Sequence, residues 1–96
     1  MKAYVIVNVA VQDPERYKDY IKAATPTVAA HGGRYIVRGG RAEKLEGDVT
    51  INRIVVLEFP SYQQAKNWYE SAEYRAALAI RQSCATGSLI LVEGAP

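Results

Sequence analysis

The chain has 96 residues, of which 49% are hydrophobic and 23% are charged, which is the composition of a single folded globular domain. Twelve basic and ten acidic residues give a net charge of +2. Four arginines fall within twenty positions, but glycines and acidic residues separate them, so they do not form the basic surface that nucleic-acid binding requires (Arg34, Arg38, Arg41 and Arg53).

Cysteine and histidine each occur once, as Cys84 and His31, which excludes an intrachain disulfide and a metal site built from several such residues. The glycine pairs lack the spacing of a phosphate-binding loop, so we expect neither a metal nor a nucleotide cofactor. No apolar run is long enough to span a bilayer, and a strand follows Met1-Lys2 directly, so we expect no signal peptide. The expected location is therefore the cytoplasm.

The first half of the chain predicts a strand, a helix and a second strand. Ala3–Val11 alternates as a strand. Asp13-Pro14-Glu15 is typical of a helix start, and His31-Gly32-Gly33 of a helix end. Pro26 lies inside this helical pattern, so we expect a kink or break near Thr25. Arg34–Arg38 then predicts a short strand.

The second half begins with a polar linker, Arg41–Asn52, followed by a strand at Arg53–Pro60 that is apolar on both faces. Ser61 predicts the start of a helix that buries Trp68, and Ser71 is expected to cap a further helical segment. Gly87 precedes a last predicted strand, Ser88–Glu93. The resulting order, β-α-β-β-α-β, indicates an α+β, ferredoxin-like fold in which two helical segments cover one face of a four-stranded antiparallel sheet.

Strand alternation assigns residues to the two faces of this sheet. The face given to the helices is apolar and consists of valines, Tyr35, Leu57 and Phe59, with Val37 among the valines. The other face also carries apolar residues, among them Ile6, Ile36, Ile54 and Val56. Four strands leave roughly 400 Å² of this second face bare, so we expect a second copy of the chain to cover it.

Polar residues also fall on this second face: Asn8, Arg38 and Glu58. Because a buried charge needs a partner, we expect Arg38 and Glu58 to lie in contact, with Asn8 nearby. The pair could bind a substrate carboxylate or move a proton; alternatively it is a structural ion pair.

With these elements placed, the chain resembles the family known as domain of unknown function 1330. The residues that carry the resemblance span nearly the whole chain: His31-Gly32-Gly33, Arg38-Gly39-Gly40, Leu45-Glu46-Gly47, Arg53 through Pro60, Ala65, Trp68-Tyr69, Ser71, Tyr74 and Arg81. The resemblance implies a homodimeric α/β barrel of ferredoxin-like subunits. The architecture is similar to that of cofactor-free antibiotic-biosynthesis monooxygenases and muconolactone isomerases, which hold small organic substrates between helices and sheet.

Further candidate ligand-binding residues are His31, Tyr69 and Tyr74. His31 could be a general base, or a histidine that simply ends a helix. Tyr69 and Tyr74 could line an aromatic pocket because their hydroxyls need partners, whereas Trp68 is expected in the core. Two classes of function remain open. One is binding of a small organic molecule, with or without turnover; the other is a non-catalytic binding or structural dimerisation module.

Overall fold

The computed structural model describes Met1–Pro96 as four strands and three helices. In chain order these elements are β1 (Ala3–Val11), α1 (Pro14–Ala30), β2 (Arg34–Arg38), β3 (Arg53–Phe59), α2 (Tyr62–Glu70), α3 (Ala72–Cys84) and β4 (Ala85–Glu93). The sheet is antiparallel throughout, in the order β2-β3-β1-β4. The predicted α+β, ferredoxin-like arrangement is confirmed, with the second helical segment divided in two.

The three helices cover one face of the sheet, here called the helix face. Val5, Val7 and Val9 of β1 are buried there, whereas Ile6 between them is 38% exposed. The opposite side, here called the open face, carries the alternate residues of the strands: Tyr4, Ile6, Asn8, Ile54, Val56, Glu58, Ser88, Ile90 and Val92. The alternation in β1 and β3 therefore predicted both faces correctly.

The ends of α1 are formed as the sequence predicts. Asp13 accepts a hydrogen bond from the backbone N–H of Arg16, at 3.1 Å. At the other end, the N–H groups of Gly32 and Gly33 donate to the carbonyls of Ala29 and Val28, which is a Schellman motif. Gly32 has φ +77°, a conformation that side chains rarely adopt.

Of the kink or break expected near Thr25, the break is wrong, because α1 continues through Pro26 as one helix. Proline removes the hydrogen bond to the carbonyl of Lys22. Pro26 and Lys22 are both exposed, so water can reach that carbonyl. The Thr25 hydroxyl also donates to the carbonyl of Ile21, at 2.7 Å, within the same turn.

The serine caps of α2 and α3 are confirmed. Ser61 Oγ accepts from the N–H of Gln64 at 3.1 Å, and Ser71 Oγ accepts from the N–H of Tyr74 at 3.2 Å. Ser71 also donates to the carbonyl of Trp68, at 2.7 Å, so one side chain ends α2 and starts α3.

The last strand is longer than predicted, since it begins at Ala85 and includes Gly87. A side chain at Gly87 would collide with the backbone of Asn8 on the neighbouring strand. Gly87 therefore allows β1 and β4 to approach closely, a role that the sequence pattern does not distinguish from a turn.

An aromatic cluster forms the centre of the core. The ring centroid of Trp68 lies 4.2 Å from that of Tyr74 and 5.4 Å from that of Phe59. The Trp68 indole N–H donates to the Thr27 hydroxyl at 3.0 Å, and this hydroxyl donates to the carbonyl of Ala24 at 2.6 Å. The core role expected for Trp68 is confirmed, and its polar atom is satisfied inside the core.

Strand β2 contains a β-bulge at Ile36. Tyr35 lies opposite Leu57, but Val37 lies opposite Val56 and Arg38 lies opposite Val55. One extra residue in β2 therefore exchanges the faces of everything after it. Val37 belongs to the open face and Arg38 to the helix face, so their predicted assignments are wrong.

Candidate functional site

Arg38 and Glu58 do not form the predicted pair. Glu58 lies on the open face, opposite Tyr4 and Arg34, whereas the bulge turns Arg38 toward the helices. The Arg38 guanidinium instead lies over the ring of Tyr35, 3.8 Å from its centroid. The expectation failed because strict alternation was applied across a bulge.

Glu58 is paired with two other cations on the open face. Arg34 Nε donates to its carboxylate at 2.9 Å, and Lys2 Nζ lies 3.4 Å away. The hydrogen bond from Arg34, supported by Lys2, holds the pKa of Glu58 below its usual value of 4.5. Glu58 is thus an ionised member of a three-residue cluster beside the apolar surface of the open face.

Asn8 lies on the open face, as predicted, but its contacts are with the linker before β3. Its side-chain amide donates to the carbonyl of Thr50 at 2.9 Å and accepts from the N–H of Asn52 at 3.0 Å. Both ends of the amide are therefore engaged in fixing the end of this linker.

His31 lies at the end of α1, where its Nδ1 is 2.9 Å from the carbonyl oxygen of Thr27. This contact requires Nδ1 to carry a proton, because a carbonyl oxygen only accepts. The geometry fits a histidine that binds one of the last free carbonyls of a helix. His31 lines neither of the two cavities described next.

A large cleft opens between α2, α3 and the edge strand β4, and we call it the β4 cleft. Its volume is about 900 Å³. Its residues come from β1, α2, α3 and β4: Val5, Tyr62, Ala65, Lys66, Trp68, Tyr69, Glu70, Arg75, Arg81, Gln82, Ala85, Thr86, Gly87, Leu89 and Leu91. Tyr69, a predicted candidate, lies on its wall with the Arg75 guanidinium 4.6 Å from the centre of its ring.

A second, smaller cavity of about 100 Å³ lies between α1 and the sheet. We call it the tyrosine pocket after three of its residues, Tyr17, Tyr20 and Tyr35; the others are Val7, Ile21, Arg38, Arg53, Val55, Leu57, Trp68 and Leu89. Trp68 and Leu89 also line the β4 cleft, so these two side chains lie between the cavities.

Tyr74 lines neither cavity. Its side chain is fully buried, and its hydroxyl is 2.9 Å from the hydroxyl of Tyr20. The sequence argument that this hydroxyl needs a partner was sound, but the partner is another core tyrosine.

Four arginines that line the two cavities have no carboxylate partner. The ion pairs within 4.0 Å use Lys2, Arg16, Lys18 and Arg34, which leaves Arg38, Arg53, Arg75 and Arg81 unpaired. Nε of Arg53 and Nε of Arg81 are buried without a hydrogen-bond partner. Positive charge is therefore concentrated between the helices and the sheet, and no carboxylate lies within 4.0 Å of these arginines.

The buried tyrosines beside these arginines stay protonated at neutral pH. Burial raises the pKa of Tyr17, although the positive charge and hydrogen bond of the neighbouring Arg53 partly lower it again. Burial and the hydroxyl of Tyr74 raise the pKa of Tyr20. Both side chains are therefore neutral hydrogen-bonding groups and not anions that would balance the arginines.

Sequence analysis assigned no role to Arg53 or Arg81, although a signal was present for each. Arg53 has the same strand parity as Val55 and Leu57, so it is a charged residue on a helix-facing row. Arg81 follows Tyr74 and Leu78 along the buried side of α3, and it is itself buried. In both cases a charged residue occupies a row of otherwise apolar core residues. A buried polar residue of this kind is informative, because it needs a structural or functional explanation.

No three histidine, cysteine, aspartate or glutamate side chains come together in an arrangement that could hold a metal ion. Separately, none of the three helices combines the length and the apolar character needed to cross a membrane.

The sheet order and the covered helix face define a ferredoxin-like protein with cavities between its helices and its sheet. The chain belongs to the family described as "Domain of unknown function (DUF1330)", whose model matches residues 2–95. This confirms the resemblance on which the sequence analysis drew. No curated protein sequence matches the chain.

Several solved structures share the fold. The protein of unknown function RPA0582 from Rhodopseudomonas palustris is 20% identical, with a TM-score of 0.78 over 99% of this chain and 83% of that one. SnoaB, a cofactor-independent oxygenase from Streptomyces nogalater, is 9% identical, with a TM-score of 0.68 over 99% and 94%. A dimeric ferredoxin-like protein of unknown function from Thermobifida fusca is 18% identical, with a TM-score of 0.62 over 100% and 92%. Identities this low show a common fold alone, and they carry no information about activity.

Proposed function

We propose that this chain binds a small organic molecule with a largely apolar body in the β4 cleft. The observation that carries the proposal is the cleft itself, because about 900 Å³ falls in the size range of ligand pockets. Its floor is apolar, from Val5, Leu89 and Leu91, and Trp68 closes its inner end. Eight of its fifteen lining residues are hydrophobic and four are charged, and a cleft with both kinds of group suits a small organic molecule that carries a polar substituent (Lys66, Glu70, Arg75 and Arg81).

The polar groups of the cleft would orient this molecule. Arg81 is 7% exposed and lies on the cleft wall without an ion-pair partner. Tyr69 and Arg75 stack on the same wall. A polar group on the ligand would find hydrogen-bond donors there, whereas the rest of the ligand would contact aliphatic and aromatic side chains.

We propose that the chain binds this molecule without converting it to a product. SnoaB is a cofactor-independent oxygenase, and the same cofactor-free chemistry, or an isomerisation, would be the enzymatic version of this proposal. Catalysis of that kind uses a group that exchanges protons near neutral pH. The raised pKa values of Tyr17 and Tyr20 make them donors and not bases, and the Cys84 thiol is buried and donates to the carbonyl of Ile80.

We also infer that the chain works as a homodimer, in the cytoplasm, through its open face. The apolar side chains of this face are substantially exposed in the single chain: Ile6 38%, Ile36 43%, Val37 38%, Ile90 57% and Val92 43%. Related structures from Thermobifida fusca and Bacteroides fragilis are described as dimeric. A second copy would cover an apolar face that helices leave bare. The cytoplasmic location is supported by a single cysteine that is buried and unpaired.

The test uses Trp68, the single tryptophan, as a reporter on the cleft. We would titrate the full chain with 2-naphthol and indole and follow the indole N–H signal of Trp68 by NMR. The matched variants are Gln82→Phe, which places a bulky side chain on the cleft wall, and Ala79→Phe, an exposed α3 position outside it. We expect the compounds to shift the Trp68 signal saturably in the parent and in Ala79→Phe. The shift should be absent in Gln82→Phe.

If no apolar compound causes a saturable shift, or if both variants respond like the parent, the β4 cleft is not a ligand site. The alternative, a non-catalytic dimerisation module, would then be favoured.

A further inference from the structure

We propose that the tyrosine pocket is a separate site that binds the carboxylate of a short organic acid, with Arg38 and Arg53 as the recognising groups. This inference goes beyond the proposed function, because it concerns the other side of the Trp68–Leu89 wall and does not require the β4 cleft to be occupied.

The first support is the charge of the pocket. Arg38 and Arg53 come from the adjacent strands β2 and β3, and neither has a carboxylate within 4.0 Å. The acidic residues at the start of α1 are already engaged, Glu15 with Lys18 and Asp19 with Arg16. Two guanidinium groups in one pocket repel each other, and a bound anion removes this repulsion.

The second support is an unused donor. Nε of Arg53 is buried and has no hydrogen-bond partner. A buried guanidinium N–H without an acceptor is destabilising, so its presence in a folded chain needs an explanation. A ligand oxygen that accepts from it would supply the missing partner.

The third support is the position of the two guanidinium groups beside aromatic rings. Arg38 lies 3.8 Å from the centre of the Tyr35 ring, and Arg53 lies 5.9 Å from the centre of the Tyr17 ring. A guanidinium that lies over a ring, as that of Arg38 does, can keep N–H groups along its edge available for a ligand. A carboxylate is the planar acceptor that fits such an edge, with two oxygens for two N–H groups.

The remaining lining and the volume define the rest of the ligand. Val7, Ile21, Val55 and Leu57 surround the two arginines with apolar surface. Inorganic phosphate or chloride has no apolar part to place there, whereas a hydrocarbon acid does. A cavity of about 100 Å³ is well below the roughly 300 Å³ at which sites for drug-sized ligands begin, so the acid must be short. The neutral Tyr17 hydroxyl is a further donor at the same place.

The experiment measures binding of acetate, butyrate and benzoate to the full chain by calorimetry, and follows the Arg53 Nε–H signal by NMR. Butyramide and benzamide are the uncharged isosteres. We expect butyrate or benzoate to bind and to shift the Arg53 signal, and the amides to bind about tenfold more weakly or worse, because they lose charge-assisted hydrogen bonds. Each of Arg38→Gln and Arg53→Gln should weaken acid binding by about tenfold.

The matched control is Arg34→Gln, which removes an arginine from the same strand as Arg38 but on the open face. Acid binding should be unchanged in this variant. A second measurement covers the folding of the variants. Without acid, Arg53→Gln should melt at a temperature equal to or above that of the parent, because a guanidinium with a buried and unpaired Nε is removed, and it should lose the increase that butyrate gives the parent.

Three results would overturn the inference. One is a parent protein that no acid saturates; another is equal binding of inorganic phosphate. The third is equal loss of binding in Arg34→Gln and Arg38→Gln. If instead Gln82→Phe abolishes acid binding while Arg38→Gln keeps it, the acid occupies the β4 cleft, which contradicts this inference and leaves the proposed function intact.

Discussion

At the scale of single residues, Glu58 shows how one carboxylate can serve two cations. Its side chain is 13% exposed and lies between Arg34 and Lys2 on the open face. Because the pKa of Glu58 is lowered in the folded chain, the unfolded chain binds a proton at this position more readily. The ion pairs of Glu58 therefore stabilise the folded chain above the usual pKa of 4.5. This stabilisation is lost as the pH falls through the lower pKa that Glu58 has in the folded chain.

We expect Glu58→Gln to melt at a lower temperature than the parent at neutral pH, and the difference to shrink as the pH falls below 4.5. Melting curves followed by circular dichroism across this range measure it. Glu73→Gln, an exposed residue of α3 outside every ion pair, is the control and should show no such pH dependence. A constant Glu58→Gln difference down to low pH would contradict the assigned ion pairs.

The hydroxyl pair of Tyr20 and Tyr74 gives a second prediction at this scale. Tyr20→Phe leaves the buried Tyr74 hydroxyl without its partner, which should lower the free energy of unfolding by about 1–3 kcal/mol. Because the pKa of Tyr20 is raised in the folded chain, the parent should also lose stability as the pH rises above 10, and the variant should lose less.

Urea unfolding at neutral and alkaline pH measures both effects. Tyr62→Phe is the matched control, since Tyr62 is 41% exposed and its hydroxyl makes no hydrogen bond within the chain. Equal stability of the two variants would show that the hydroxyl pair contributes nothing.

At the scale of elements, the end of β2 combines a bulge with a glycine of positive φ. Gly39 has φ +68°, and its N–H donates to the carbonyl of Ile54 at 2.8 Å. A Cβ at this position would collide with the guanidinium of Arg53. The turn after β2 therefore fixes both the backbone and the position of a side chain in the tyrosine pocket.

Three glycine-to-alanine variants separate these contributions. Gly40 has ample space and no positive φ, so Gly40→Ala should change stability by less than about 0.5 kcal/mol. Gly47 has φ +90° but open space, so Gly47→Ala should cost about 1 kcal/mol through the backbone alone. Gly39→Ala should cost more than Gly47→Ala and should also shift the Arg53 side-chain signals. Chemical unfolding and NMR measure the series, and equal costs at Gly39 and Gly47 would contradict the contact with Arg53.

At the scale of the whole molecule, few residues are buried and the open face is bare. Only 19 of 96 residues are buried in the single chain, which is a small core for a stable domain. Association through the open face would bury the exposed isoleucines and the cluster around Glu58 together. In a two-fold symmetric dimer, both copies would carry any substitution on this face, so the interface would contain it twice.

Ile90→Lys should therefore prevent the dimerisation that we infer. Ile90 is 57% exposed in the single chain, and a lysine buried from each copy in an apolar interface would raise the dissociation constant by about a hundredfold or more. Light scattering at micromolar concentration measures the mass. Ala79→Lys adds the same charge on the helical side and should remain dimeric. A parent protein that is monomeric, or an Ile90→Lys variant that stays dimeric, would refute the interface.

Sequence reasoning was reliable where the chain follows regular periods. Alternation placed Val5, Val7 and Val9 correctly, and the Asp13 and Ser71 caps are where the pattern predicts them. These features depend on neighbouring residues alone, so they can be recognised locally.

The candidate site was predicted less well because it depends on register between strands. No local signal in Arg34–Arg38 marks the extra residue at Ile36, and the pairing of β2 with β3 decides it. Arg38 was therefore placed on the wrong face, with the wrong partner, and its role in binding stays a prediction. The cavities formed by α1, α3 and β4 depend on contacts between distant segments, which one sequence does not reveal.

The bulge at Ile36 also determines how the tyrosine pocket can be recognised in related chains. Deleting Ile36 would restore plain alternation in β2 while Val37 stays opposite Val56 and Arg38 stays opposite Val55. The shortened strand would therefore keep Arg38 on the helix face and both arginines in the pocket. In related chains, the residue equivalent to Arg38 should stand three positions after the equivalent of Tyr35 where the bulge is present, and two positions after it where the bulge is absent.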